Sequence, residues 1–143
     1  MALEVEIKAH TRDAEEIGRL LRAAGSVPVG EVDKDDRYVR SANGVEFRIR
    51  FRGENGGETR RPTGGCDRVA VKRKRGSLLR RDGLLAEIVE VERLGWFVEI
   101  ECMVEDGDGE QAASEIRRTL DAIGVDSGDV ESRTYLQLLG FER

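Results

Sequence analysis

Apolar and polar residues alternate with a period of two along most of this chain. Leu3, Val5 and Ile7 fall on one side and Glu4, Glu6 and Lys8 on the other, which predicts a strand over residues 3–9 with one greasy and one ionic face. The period then changes. Asp13, followed three residues later by Glu16, reads as a helix cap, and Ile17, Leu20, Leu21 and Ala24 form a helical stripe that stops at Gly25. A strand is predicted over about residues 27–39, and Ser41-Ala42-Asn43-Gly44 makes a hairpin-type turn. Beyond the turn Phe47, Ile49 and Phe51 alternate with Glu46, Arg48, Arg50 and Arg52. The stretch 53–67 is glycine-rich and proline-broken and reads as a flexible loop. Further strands are predicted over 69–75, over 84–92 after a turn at Asp82-Gly83, and over 96–104. A second helix over 110–123 uses Ala113, Ile116, Leu120 and Ile123 and ends at Gly124, and a short apolar tail follows at 135–141. Val5-Glu6-Ile7 and Val98-Glu99-Ile100 each open a strand followed by a helix ending in glycine, a faint internal repeat.

The charged faces are unusual in their grouping. Glu4 with Glu6, Arg48 with Arg50, Lys72 with Lys74 and Glu99 with Glu101 are like charges two residues apart, so each pair shares a strand face and repels itself unless something compensates it. A sheet exposed on one side also shows charged alternation, but such faces ordinarily mix signs. Curling the sheet into a barrel turns these faces inward and leaves the helices outside. The product is a cavity with carboxylates on some walls and cations on others. Carboxylate oxygens suit Mg²⁺ or Mn²⁺, and guanidinium forks match phosphate oxygens, so the pattern describes a receptor for a metal-bound triphosphate.

Composition narrows the alternatives. The chain has 143 residues, 38% of them hydrophobic, enough for a single domain spanning 1–143. Lysine plus arginine (24) nearly balances aspartate plus glutamate (29), so no overall field favours nucleic acid or an acidic membrane. Lys72-Arg73-Lys74-Arg75, with Arg80 and Arg81, resembles a nucleic-acid patch but lacks interleaved aromatics, and no nucleic-acid partner is expected. No apolar run reaches a bilayer-spanning length and the N-terminus does not read as a signal peptide, so a cytoplasmic protein without a membrane partner is expected. His10 is the only histidine, which excludes a histidine-rich metal site, and Cys66 and Cys102 are read as free thiols.

The N-terminal Glu4-Val5-Glu6-Ile7-Lys8 matches the Glu-x-Glu-x-Lys signature of the CYTH family, the triphosphate tunnel metalloenzymes. Its neighbours follow in order: Asp36-Arg37-Tyr38, Phe47-Arg48-Ile49-Arg50, Leu94-Gly95-Trp96-Phe97-Val98-Glu99-Ile100-Glu101 and Thr134-Tyr135-Leu136-Gln137-Leu138-Leu139. The chain thus resembles class IV adenylyl cyclases and thiamine triphosphatases from Glu4 to Leu139. The resemblance implies an α+β fold: an antiparallel eight-stranded β-barrel, the triphosphate tunnel, with outer helices. By position, Glu4, Glu6, Glu99 and Glu101 would hold Mg²⁺ or Mn²⁺, while Lys8, Arg48, Arg50, Lys72 and Lys74 would grip phosphates. Lys8 and Tyr38 would serve catalysis, Tyr38 by organising the attacking water. The family pattern leaves too little chain between Arg52 and Val69 for its central strands, which implies a shortened wall, open on one side or completed by a second subunit in a homodimer. An aspartate of the pattern falls at Val89, with Glu87 as the nearest substitute. The implied activities are metal-dependent hydrolysis of a triphosphate or polyphosphate, cyclisation of ATP to cyclic AMP, or polyphosphate or nucleotide binding without turnover.

Overall fold

The computed structural model describes residues 2–52, 67–105 and 107–141. Seven strands form one antiparallel sheet: β1 (Ala2–His10), β2 (Val27–Arg40), β3 (Glu46–Arg52), β4 (Asp67–Arg81), β5 (Leu84–Val91), β6 (Gly95–Glu105) and β7 (Val130–Glu131). Their order is β3-β2-β4-β5-β6-β1-β7. Three helices accompany them, α1 (Ala14–Ala23), α2 (Gly109–Ala122) and the short α3 (Tyr135–Leu138). The expected α+β fold with an antiparallel sheet and outer helices is present. The sheet is not closed into a barrel, since β3 and β7 remain its two ends among the described residues. Among the described residues seven strands are found, where the resemblance implied eight. The loop expected at 53–67 lies outside the described residues except for Asp67, which opens β4.

The convex side carries the main core. Val98, Ile100 and Cys102 of β6, Ala86 and Ile88 of β5, Leu79 of β4 and Ala9 of β1 pack against Ile17 and Leu21 of α1 and Ala112, Ile116 and Leu120 of α2. Alternation along each strand sends the intervening residues to the concave side. α1 starts where the Asp13 side chain accepts a hydrogen bond from the Glu16 amide at 3.1 Å. Its buried stripe is Ile17 and Leu21. In α2 the buried stripe begins at Ala112 rather than the expected Ala113, a rotation of the face that draws in Thr119 beside Ile116 and Leu120. β4 runs on to Arg81, past the expected end at residue 75, because Gly76 lets it continue where a side chain could not. A Cβ at that position would sit 1.8 Å from the Ile88 carbonyl oxygen of β5. Register shifts between Pro28 and Gly30 and between Tyr38 and Val39 add twist to β2. The apolar tail is not extended. Thr134 caps it through a reciprocal pair with Gln137, which makes α3 and seats Tyr135 on the concave side with Val32, Val89, Val91 and Phe97.

Candidate active site

Because the strands keep register, the concave residues of six strands line up around one cavity. Glu6 lies opposite Glu101 and Lys8 opposite Glu99 across β1 and β6. Glu87 lies opposite Glu99 across β5 and β6. Asp36 of β2 lies between Arg50 of β3 and Lys72 of β4, and Lys34 lies opposite Lys74. The cavity measures about 670 Å³. Every residue expected to form the site lines it: Glu4, Glu6, Lys8, Tyr38, Arg48, Arg50, Lys72, Lys74, Glu99 and Glu101. Lys34, Glu87 and Tyr135 line it as well.

The carboxylates separate into two groups. Glu4, Glu6 and Glu101 each offer an oxygen within 4.8 Å of the others. Three hard oxygen donors at such spacing suit Mg²⁺ or Mn²⁺, so the donor set fits the expected ion. Crowding is visible in their acidities. Glu6 is raised to about 7, chiefly because its carboxyl is desolvated between neighbouring strands, although part of the residue reaches solvent, and then by the charge of Glu99. Glu101 is also raised to about 7, by burial first and then by the Glu4 carboxyl beside it. Glu99 behaves differently. Burial alone would push it up, but the Lys74 ammonium at 2.9 Å outweighs that and holds it below its ordinary value. Glu99 thus pairs with a cation and stands outside the trio.

The cations are held by a second set of acids. Arg50 forks onto Asp36 through Nε at 2.5 Å and Nη2 at 2.7 Å, and Lys72 reaches the same carboxylate at 3.2 Å. Asp36 has no solvent exposure, yet these partners hold its carboxyl below the usual range against the cost of burial. Lys74 also contacts Glu87 at 3.0 Å, and Lys34 contacts it at 3.3 Å. Burial lowers the pKa of Lys8, whose ammonium donates to the Arg133 carbonyl. Arg48 lies opposite Tyr38 and is exposed. Glu4, Glu6, Glu87, Glu99 and Glu101 therefore face Lys8, Lys34, Arg48, Arg50, Lys72 and Lys74, five acids against six bases in the lining. A bound divalent ion adds two positive charges and leaves a field suited to a polyanion.

Three participants escaped the sequence reading. Asp36 and Lys34 sit in the run Asp33-Lys34-Asp35-Asp36, whose uniform polarity hides which members point inward. Tyr135 sits in an apolar tail that carries part of the family resemblance but has no role assigned by it. The Thr134-x-x-Gln137 capping pattern, which marks a helix start, is a further clue.

No family model matches the chain, and no curated protein matches it in sequence. Solved structures do match it. The PH1819 protein of Pyrococcus horikoshii superposes with a TM-score of 0.75 at 22% identity, covering 96% of this chain and 98% of that one. A candidate adenylate cyclase of Vibrio parahaemolyticus gives a TM-score of 0.72 at 15% identity, covering 96% and 97%. A candidate adenylyl cyclase of Hippeastrum, described as having a dominant triphosphatase activity, gives 0.65 at 14% identity, covering 100% and 98%. The chain spans nearly the whole length of each. What they establish is the architecture: this chain has the fold of these candidate cyclases, one of which is described as a triphosphatase.

Proposed function

We propose that the protein is a divalent-metal-dependent hydrolase of a triphosphate or polyphosphate held in the charged cavity. The observation that carries this reading is the gathering of the Glu4, Glu6 and Glu101 oxygens in one cavity with Lys72, Lys74, Arg48 and Arg50. The ion held by the trio would neutralise phosphate charge and activate water. Arg50, fixed by Asp36, presents a preorganised guanidinium, and Lys72 and Lys74 stabilise charge on the phosphoryl group in transit. Tyr38, opposite Arg48, is the candidate for orienting the attacking water. The names of two structural neighbours favour cyclisation of ATP as a second reading.

The test is product analysis of tripolyphosphate, thiamine triphosphate and ATP incubated with Mg²⁺ or Mn²⁺. Metal-dependent phosphate release, lost at least a hundredfold in Glu4→Gln and Glu6→Gln, is the expected outcome, on the order of the loss from one catalytic electrostatic contact. Cyclic AMP from ATP selects the cyclase. Stabilisation by tripolyphosphate without any product makes the cavity a binding site only.

A further inference from the structure

The chain contains four lysines against twenty arginines, and all four, Lys8, Lys34, Lys72 and Lys74, line the one cavity. Three of them converge on a single ring. The ammonium groups of Lys8, Lys72 and Lys74 lie 4.3, 5.3 and 5.9 Å from the centroid of Tyr135. They come from opposite arms of the open sheet, Lys8 from β1 and the other two from β4. The like charges repel, and their anionic partners are unevenly distributed. Lys72 has Asp36 and Lys74 has Glu87 and Glu99. Lys8 donates to the Arg133 carbonyl and feels the charges of Glu99, Glu6 and Glu131 without forming an ion pair with them among the described residues. The electron-rich face of an aromatic ring attracts ammonium groups without neutralising them, so at Lys8, which has no ion pair among the described residues, the charge remains available to an incoming anion.

The ring is itself held. Tyr135 is 6% exposed, meets Phe97 edge to face at 5.0 Å, and begins the helix capped by Thr134. Its hydroxyl is buried beside Glu99, off the geometry of a full hydrogen bond yet close enough that each group perturbs the other. The edge contact with Phe97 and the capped helix hold the ring independently of that contact.

Resting on the hydrolase reading for the identity of the ligand, we propose that Tyr135 is the positioning residue of the cavity, whose ring gathers three lysines from both arms of the sheet into one phosphate-receiving cluster. The claim separates the ring from the hydroxyl and from mere volume. Tyr135→Phe keeps the ring and should bind tripolyphosphate in the presence of Mg²⁺ within about twofold of the parent chain, whereas Tyr135→Leu and Tyr135→Met should bind it roughly tenfold more weakly, the combined effect of several modest cation–π contacts. KM should rise accordingly, with a smaller change in kcat.

A second measurement needs no ligand. Reductive ¹³C-methylation keeps the lysine charge and labels four side chains, every one of them in the cavity, besides the N-terminal amine. In the folded parent, the methyl signals of Lys8, Lys72 and Lys74 should be displaced upfield by the ring, while Lys34, which faces Glu87, serves as the control. The displacement should persist in Tyr135→Phe and vanish in the Leu and Met variants. Undisplaced signals in the parent overturn the proposal without recourse to any variant. Unchanged tripolyphosphate affinity in a folded Leu or Met variant overturns it too. Displaced signals in a parent that binds no tripolyphosphate leave the lysine cluster standing, while they sink both the hydrolase reading and the phosphate-receiving role.

Discussion

Asp36 is enclosed completely and holds two cations on one carboxylate. Removing it as Asp36→Ala leaves Arg50 and Lys72 unpaired beside each other. Both cations retain some solvent through the cavity, so the expected loss is about 3 kcal/mol, the low end for a broken buried pair, read from urea unfolding at pH 7. The folded-state pKa of Asp36 is depressed, so its contribution is present above the unfolded carboxylate value of ~3.9 and is lost as pH falls through the folded one. Glu6 and Glu101 have the opposite sign. Folding raises both from 4.5 to about 7, so the folded chain binds more protons than the unfolded one between those values. In metal-free buffer their contribution is intact below pH about 4.5 and disappears as pH rises through about 7. Stability should fall from pH 5 to pH 7.5, less steeply in Glu6→Gln, and Mn²⁺ binding should tighten over the same window as the protons leave. An equal slope in the variant would mean that Glu6 is not the group responsible. The strand period identified Glu6 and Glu101 because alternation fixes a face. It could not show that Glu99 would be paired with Lys74, since partner choice depends on strand neighbours that no single segment encodes.

Among the elements, β4 is the one on which the cavity depends most. It carries Lys72 and Lys74 inward and Leu79 outward into the convex core, and Gly76 lies between them. A methyl group at position 76 meets the backbone of β5, which cannot rotate away as a side chain end can. Gly76→Ala should therefore cost about 3 kcal/mol or more, at or beyond the upper end for overpacking, while Gly83→Ala in the adjacent turn, with open space around it, should cost far less. Thermal unfolding of the two variants decides the point. An equal loss in both would mean that β4 and β5 do not approach as closely as described. The first six strands and the two long helices were legible because their periods are clean, whereas β7, two residues long, has no period to show. The extension of β4 was not, because Gly76-Ser77 reads locally as an interruption, and only the closeness of β5 reveals why glycine continues the strand there. α3 was hidden for a related reason: four residues are too few to display a helical period.

For the molecule as a whole, the two arms of the sheet meet across charge. β1 and β6 bring the carboxylate trio, β2, β3 and β4 bring most of the cations, and the ladder between β3 and β7 is left open among the described residues. A metal-bound polyanion would bridge the arms. Mg²⁺-tripolyphosphate at a hundredfold its Kd should stabilise the chain by about 2.7 kcal/mol, and Mg²⁺ alone should do less; differential scanning calorimetry showing no shift with either would deny the cavity its ligand. The barrel-like curl was legible in the like-charge blocks. That the wall is open was expected only through the family resemblance, because closure is a property of the last pair of strands rather than of any pattern within one.

The pairing of β1 with β6 joins Ala2 to Glu105, across a long stretch of the sequence. β2 to β6 can assemble progressively from neighbouring segments, but β1, made first, must wait for a partner made much later, and closing so long a loop is slow. The metal-binding side of the site should therefore be the last to appear in time. Pulse-labelled hydrogen exchange during refolding should protect the amides of β4 and β5 before those of β1, and a chain arrested before β6 should hold Glu4 and Glu6 without the third carboxylate that makes them a site.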